Sequence, residues 1–398
     1  MSPKTVFLKR HKRRKLRYPK GLKNHSVALA ATSLSRDAMF DESVAILGVG
    51  LMGTAIAAAH LRCGVDVLLY DSSTDSLATA PKRIADELRL QGADGGVHAI
   101  RRTVDLAEVV CRKIIIETIT EKHKAKKKLY RKLQAASVGH VPYLFSNTST
   151  ISILSLAEEL DDAWRHNFCG FHFFHPVRER SLLEIVSGRE TAETTIEVAR
   201  QHAVRIGKQP ILVRDGPGFL VNRMLNPYLT GALKLLAEGI EMERIERLAT
   251  EFGMKMGPFR IMDEIGLDVV LHAGWVLFKA FPDRVPNSPL LLKLVELGRL
   301  GRKTGRGFML YPSVTSWDGN GRPDSEIRLL LDSTTTVSLS DAIIVERLFR
   351  GMAEEAQRCL DDGIITDRAA ADLASVHALG FPQERGGILQ WGTQEPKT

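Results

Sequence analysis

The sequence lacks any apolar run long enough to cross a bilayer, so it offers no candidate membrane-spanning helix. Cysteine is scarce: Cys63, Cys111, Cys169 and Cys359 are the only four in 398 residues, and no two form a CxxC pair. That scatter argues against a disulfide framework or a cysteine zinc site and points to a reducing compartment, with the cytoplasm as the expected location. Acidic residues are missing altogether from positions 1–24, which hold ten Lys or Arg. A basic surplus is missing from everything that follows. The chain is formally +8, but beyond residue 24 it has 45 basic against 47 acidic residues, a balance of −2. This argues against a nucleic-acid-binding body, because the balance implies no basic face beyond the arm. Residues 1–24 repel themselves and show no helical periodicity, so a disordered arm or upstream leader is expected, with 25–42 as a linker. Docking of the arm on anionic lipid or nucleic acid stays open, as does a cleaved targeting peptide, although the apolar segment of a secretion signal is absent.

What the chain does have begins abruptly at Val44. VAILGV is a short buried strand, and GVGLMG follows at once, with Gly48, Gly50 and Gly53 in the G-x-G-x-x-G spacing. TAIAAAHLRCG reads as a helix closed by Gly64, and VDVLLY as a second strand ending beside Asp71, 23 residues after Gly48. Strand, glycine turn, helix, strand and acid in this order make a dinucleotide site. Gly48 permits the tight turn, Gly50 lets backbone approach a pyrophosphate, and Gly53 lets helix and strand pack closely. Leu51 and Met52, in the glycine turn, are cofactor-binding candidates beside the helix amino end that faces the phosphates, and Asp71 can accept hydrogen bonds from the adenine-ribose hydroxyls. An acid there repels a 2′-phosphate, and no Arg follows in SSTD, so NAD is preferred to NADP.

Further strands are expected at about 113–117, in YLFS and in PILV, and helices at 82–91, in DLAEVV, in EKHKAKKKLYRKLQAA and at about 191–206. Glu121 and Lys126 lie at the start of the EKHKAKKK helix, whose charge run reads as a solvated face. The fold class is α/β: a Rossmann-type doubly wound sheet domain over 43–214, followed by an all-helical domain. SNTST, residues 146–150, sits at the carboxyl end of a strand, where open parallel sheets hold ligands, and is equally placed to cap ILSLAEEL.

CGFHFFHPVRERSLLEIVS, residues 169–187, puts His172 in an aromatic-rich apolar run and Glu184 twelve residues later in another. Two short strands joined by a polar turn bring them together. A carboxylate that orients an imidazole and stabilises its imidazolium is what a general base needs, although a His among aromatics equally serves as a satisfied core residue. From about 215 the alternation stops and the chain reads all-helical: a first unit over 215–312, a linker over 313–340 and a second, shortened unit over 341–398. LLAEGIEMERIERLATEFGMKMGPFRIMDEIG (235–266) and CLDDGIITDRAAADLASVHALGFPQERGGILQW (359–391) form an internal repeat. Asn222, in the first turns after DGPGF, is either a structural tie or a ligand contact. GRKTGRGFMLY (301–311) ends the first unit.

Assembled, these pieces resemble the 3-hydroxyacyl-CoA dehydrogenase family, most closely the dehydrogenase part of the bacterial multifunctional fatty-acid oxidation complex alpha subunit. The words that carry the resemblance are GVGLMG, SNTST, CGFHFFHPV, LLEIV, DGPGFLVNRMLNPY, GRKTGRGF and GFPQERGG, spread from about Val44 to Trp391. The resemblance implies an NAD-dependent enzyme that oxidises (3S)-3-hydroxyacyl-CoA to 3-ketoacyl-CoA, as in fatty-acid β-oxidation. It implies His172 as base and Glu184 as its partner, with Ser149 and Asn222 contacting substrate and positioning its oxygens. Met52, Asp71, Glu121, Lys126 and Lys303 match cofactor-contacting positions, and Ser149 is expected to serve both ligands. His175 stands where the family has an Asn that touches the cofactor near the reacting centre, so weaker NAD binding or an altered His172 is expected. A two-residue insertion falls near DDAWRHN, the preceding hydratase domain is absent from the sequence, and the second helical unit stops before later family residues near the acyl-CoA site. The implied partners are an acyl-CoA substrate and a thiolase or hydratase. A homodimer through the helical domain is expected, or a monomer in which the second unit replaces the partner. Two rival readings are another hydroxyacid dehydrogenase of this two-domain plan, which would use a Lys base, and an NAD-binding protein with weakened catalysis.

Overall fold

The apolar runs read as strands become one sheet because helices cover both of its faces, which buries most of their Val, Ile, Leu and Phe side chains; Leu212 on the edge strand is an exception at 51% exposed. The computed structural model describes residues 41–90, 100–312, 321–331 and 337–394. The basic arm expected over 1–24, the following linker up to residue 40, and parts of the 313–340 linker lie outside the described residues.

The strands are β1 (Asp41–Leu47), β2 (Val67–Tyr70), β3 (Ile100–Thr103), β4 (Arg112–Glu117), β5 (Tyr143–Ser146), β6 (Phe168–Phe173), β7 (Leu182–Ser187) and β8 (Gln209–Arg214). They lie in the order β3-β2-β1-β4-β5-β6-β7-β8. Every pairing is parallel except β6–β7. The chain leaves β1 toward β2 and β3, then crosses back to β4 on the other side. That reversal opens a crevice beyond the carboxyl ends of β1 and β4, the place where such sheets bind ligands. β3 reads IRRT with both arginines exposed, so its run carries no apolar signal and no strand is expected there from sequence. The covering helices are α1 (Leu51–Arg62), α2 (Thr74–Leu90), α3 (Leu106–Val110), α4 (His123–Ala136), α5 (Ile153–Ala157), α6 (Asp162–His166) and α7 (Glu193–Arg205).

After β8 the chain is helical: α8 (Val221–Ala237), α9 (Met242–Phe252), α10 (Pro258–Ile265), α11 (Leu267–Ala280) and α12 (Pro289–Glu296). A short hairpin, β9 (Met309–Leu310) with β10 (Arg322–Pro323), precedes α13 (Asp341–Asp361), α14 (Arg368–His377) and α15 (Ile388–Gly392). Buried Asp263 on α10 closes the GRKTGRGFMLY loop by accepting from the Phe308 and Met309 amides at 2.9 and 2.8 Å and from the Tyr311 hydroxyl at 3.1 Å. The internal repeat is visible as two copies of one helix stop. Ile240 N–H donates to the Leu235 carbonyl at 3.1 Å across Gly239, and Ile364 N–H to the Cys359 carbonyl at 2.8 Å across Gly363. α13 packs along α8, so the two units share a core, in which Phe252 and Phe349 stack at 3.9 Å with Phe381 and Trp391 edge-on.

Candidate active site

The first part of the site is the turn between β1 and α1. Gly48 has φ of 90°, and a Cβ on it would lie 2.9 Å from the backbone of Thr118 and Ile119. A Cβ on Gly53 would lie 1.9 Å from the Gly48 carbonyl oxygen. Gly50 is different: its Cβ would meet nothing within 4 Å. The protein itself demands the first and third glycines, whereas the second keeps open space. The amino end of α1 has no side-chain cap, and Leu51 at its start is 69% exposed, so the first-turn amides stay open to an anion. Asp71 supports the turn from the end of β2. Its carboxylate accepts from the Val49 amide at 3.0 Å and the Ser73 amide at 2.9 Å. An open cradle of amides beside a fixed carboxylate fits a dinucleotide.

The second part is a buried network under the SNTST loop. Glu117, fully buried at the end of β4, accepts from Lys126 Nζ at 2.7 Å and, each at 2.8 Å, from the Ile119 amide, the Tyr130 hydroxyl and the Ser146 hydroxyl. Lys126 also lies 3.4 Å from Glu121. Glu121 Oε1 in turn accepts from Thr148 Oγ1 at 2.6 Å and from the Ser149 and Thr150 amides at 2.9 and 3.0 Å. Burial pushes the Glu121 carboxyl up, but Lys126 and these hydrogen bonds outweigh it and leave its pKa below the ordinary value. Reading the whole charge run of α4 as a solvated face is therefore wrong at Lys126, which is fully buried because two carboxylates neutralise it. Glu121 and Lys126 shape the loop that carries Ser149. Capping of α5 falls to Ser152, whose hydroxyl accepts from the Ser155 amide.

The third part joins the sheet to the helical domain. His172 and Glu184 are directly opposed across β6 and β7. His172 Nδ1 and Glu184 Oε2 are 2.7 Å apart, and His172 Nε2 lies 3.0 Å from Ser149 Oγ. A carboxylate only accepts, so Nδ1 holds the proton and the Nε2 lone pair faces the Ser149 hydroxyl. The other carboxylate oxygen, Oε1, accepts from the Leu220 and Val221 amides at 3.1 and 2.9 Å, where the amino end of α8 favours negative charge. Phe219, just before them, has φ of 51°, a left-handed conformation that costs a non-glycine residue about 1–3 kcal/mol. That strain turns the two amides onto Glu184. Asn222 donates from Nδ2 to the Ser149 carbonyl at 3.0 Å, and Asn147 accepts from the Phe173 amide at 2.8 Å, so both tie the loop to its neighbours. The rings of Phe174 and Phe219 stand 4.6 and 5.8 Å from the His172 ring and shield it from water.

Two matches to the chain decide its kinship. The family model for the 3-hydroxyacyl-CoA dehydrogenase NAD-binding domain covers residues 43–216, and that for the C-terminal domain covers 218–311. The chain belongs to the 3-hydroxyacyl-CoA dehydrogenase family. It is an NAD-dependent dehydrogenase, in accord with the open glycine turn. Its fold is similar to a 3-hydroxybutyryl-CoA dehydrogenase from Escherichia coli K12, at 25% identity over 89% of this chain and 91% of that one, with a TM-score of 0.74. An (S)-3-hydroxybutyryl-CoA dehydrogenase from Ralstonia eutropha is 32% identical over 68% of this chain and 99% of that one, with a TM-score of 0.63. The dehydrogenase part of multifunctional enzyme 1 from C. elegans is 25% identical over 86% of this chain and 79% of that one, with a TM-score of 0.60.

Within this 3-hydroxyacyl-CoA dehydrogenase, the structure gathers Ser149, His172, Glu184 and Asn222 into one chain of contacts, and Gly48, Gly50, Leu51, Met52, Gly53 and Asp71 into another. Lys303 joins neither: its Nζ pairs with Asp268 on α11 at 2.5 Å. His175 follows β6 at an exposed position, where crowding by its neighbours and then the charge of Arg178 lower its pKa. Sequence reasoning missed Glu117 and the Leu220 and Val221 amides. An acid closing the apolar run KIII was the available signal for the first; backbone amides leave no residue-type signal.

Proposed function

We propose that the chain oxidises a (3S)-3-hydroxyacyl-CoA to the 3-ketoacyl-CoA, a step of fatty-acid β-oxidation, in the cytoplasm. The observation that carries this reading is the unbroken relay from Ser149 through His172 and Glu184 to the α8 amides. His172 Nε2 presents the lone pair that takes the substrate hydroxyl proton, and Nδ1–H keeps it in that tautomer. Glu184 stabilises the imidazolium that forms, while the α8 amides hold Glu184 in place. Ser149 and Asn222 orient the oxygen at C3 and polarise it as its carbonyl develops. Gly48, Gly50, Leu51, Met52 and Gly53 would hold the NAD pyrophosphate, Asp71 its adenosine ribose, and the loop over Glu121 and Lys126 its nicotinamide side, with His175 beside it. When bound, NAD supplies the hydride acceptor.

The test follows NADH consumption with acetoacetyl-CoA and, in parallel, with a long-chain 3-ketoacyl-CoA; the ratio sets the chain-length class. The names of two similar structures make the four-carbon substrate the first choice. His172→Ala should lower turnover by ~10²–10⁴-fold, the usual worth of a positioned base. Near-normal turnover in that variant removes His172 from the role. An acyl-CoA substrate and a thiolase or hydratase that handles the adjoining intermediates belong to the same proposal. So does assembly through the helical domain, in surface outside the α8 face that α13 already covers.

A further inference from the structure

Four consecutive residues at the start of α8 face three different bodies. Leu220 and Val221 give their amides to Glu184, Asn222 holds the Ser149 carbonyl, and Arg223 points the other way, into the second helical unit. Arg223 is only 2% exposed. Its Nε donates to Glu355 Oε1 at 2.7 Å and its Nη2 to Asp362 Oδ2 at 2.8 Å, both on or just after α13. Phe281 lies beneath the guanidinium at 4.8 Å. Successive helical residues are about 100° apart, so a rotation that frees Arg223 would also turn the two amides from Glu184 and Asn222 from Ser149. The same unit also meets the sheet beside the catalytic pair. The Arg214 amide at the end of β8 donates to the Ile364 carbonyl at 2.8 Å, and Ser181 Oγ lies 3.2 Å from His377 Nδ1 on α14.

We propose that the second helical unit is a positioning device for the reaction: Glu355 and Asp362 clamp Arg223 and thereby hold the first turn of α8 against Glu184 and Ser149. The proposal rests on the functional reading above, for it concerns the same His172–Glu184 pair. Glu355 and Asp362 touch neither substrate nor cofactor in this scheme and are positioning residues.

Glu355→Leu removes the main acceptor at similar volume, whereas Glu355→Gln keeps an oxygen for Arg223. With folded protein and saturating substrates, Glu355→Leu should lose about 100-fold in kcat, the worth of a misplacement of about 1 Å, while the KM for NAD changes less than about threefold. Glu355→Gln should recover to within about fivefold of the parent, since the hydrogen bond is kept. A purely structural clamp would lower the melting temperature of Glu355→Leu and leave kcat alone, and that outcome overturns the proposal. If Glu355→Leu does not fold, Asp362→Ala takes its place; it removes the second acceptor of Arg223 at a side chain 39% exposed and so tolerant of change. A fall of about tenfold in its kcat supports the clamp, and an unchanged kcat overturns it. Amide hydrogen exchange at Val221 reads the clamp without any turnover: faster exchange there in the variants, with the β1–β4 core unchanged, supports it, and unaltered exchange refutes it. An inactive parent with accelerated exchange in the variants would sink the dehydrogenase reading and leave the clamp standing.

Discussion

Replacing Glu184 by Gln changes one atom, yet the structure says it should silence the base. The glutamate spends its two oxygens on different partners: Oε1 accepts from the Leu220 and Val221 amides at 3.1 and 2.9 Å, and Oε2 faces His172 Nδ1 at 2.7 Å. A glutamine has one oxygen and one NH₂ to divide between them. Turning the NH₂ toward the two amides leaves two buried donors facing a donor, at about 1–3 kcal/mol each. Turning it toward His172 costs only the exchange of one hydrogen bond for another, provided that Nδ1 becomes the acceptor. The second arrangement wins by about 2 kcal/mol or more. It moves the imidazole proton to Nε2, the atom that must receive the substrate proton. Wrong-tautomer substitutions of this kind cost about 10⁴ in turnover in the serine-protease triad, and a loss of ~10³–10⁴-fold is expected here. The assay is NADH formation from (3S)-3-hydroxybutyryl-CoA, with NAD affinity followed by calorimetry and expected to be unchanged. Imidazole ¹⁵N resonances report the tautomer directly. Turnover within tenfold of the parent, or an Nδ1-protonated ring in Glu184→Gln, would refute the reasoning.

The remaining predictions draw on other parts of the molecule. Gly53→Ala should unfold or strongly destabilise the chain, because its Cβ would lie 1.9 Å from the Gly48 oxygen, whereas Gly50→Ala should keep the parent melting temperature and bind NAD at least about tenfold more weakly; equal NAD affinity in Gly50→Ala would place the phosphates elsewhere. His60 and His202 pair Nε2 to Nε2 at 2.9 Å in the core, and burial, opposed by the Ile56 carbonyl and aided by Arg205 and Lys208, lowers the His60 pKa to about 4. A folded pKa below the unfolded value means that the unfolded chain takes the proton first, so this stability is complete above about pH 6.5 and is lost as pH falls toward 4, by roughly 3 kcal/mol for His60 alone. Urea titrations at pH 7 and 5 check this, and the double variant His60→Leu/His202→Leu should flatten the difference. His175→Asn should tighten NAD binding by up to about tenfold, the worth of one hydrogen bond, and reduce its pH dependence; calorimetry at two pH values decides.

How far the chain could be read depends on where each signal resides. The dinucleotide turn was legible because sterics act locally: Gly48 and Gly53 are demanded by backbone atoms of the turn and its neighbour, and glycine is the only residue type that fits. The buried strands were legible by their apolar runs, except β3, whose paired arginines on an edge strand carry no burial pattern. His172 and Glu184 were legible as a pair because a short antiparallel hairpin with period-two alternation sets their register. The helix repeat was legible in its matched Gly-Ile stops. Lys126 was not, because its neighbours in sequence are solvated and only the fold brings Glu117 beneath it at 2.7 Å. So the sequence by itself determined the local conformations and the identity of the groups able to react, which depend on residues near in the chain. The tertiary structure alone decided which way those groups face and what holds them: the α8 amides on Glu184, the Glu121 anchor under Ser149, and the grip of Glu355 on Arg223, 132 residues away. Those contacts join segments whose separation leaves no pattern in a single sequence, and they form only when packing between the sheet and the two helical units closes the distance.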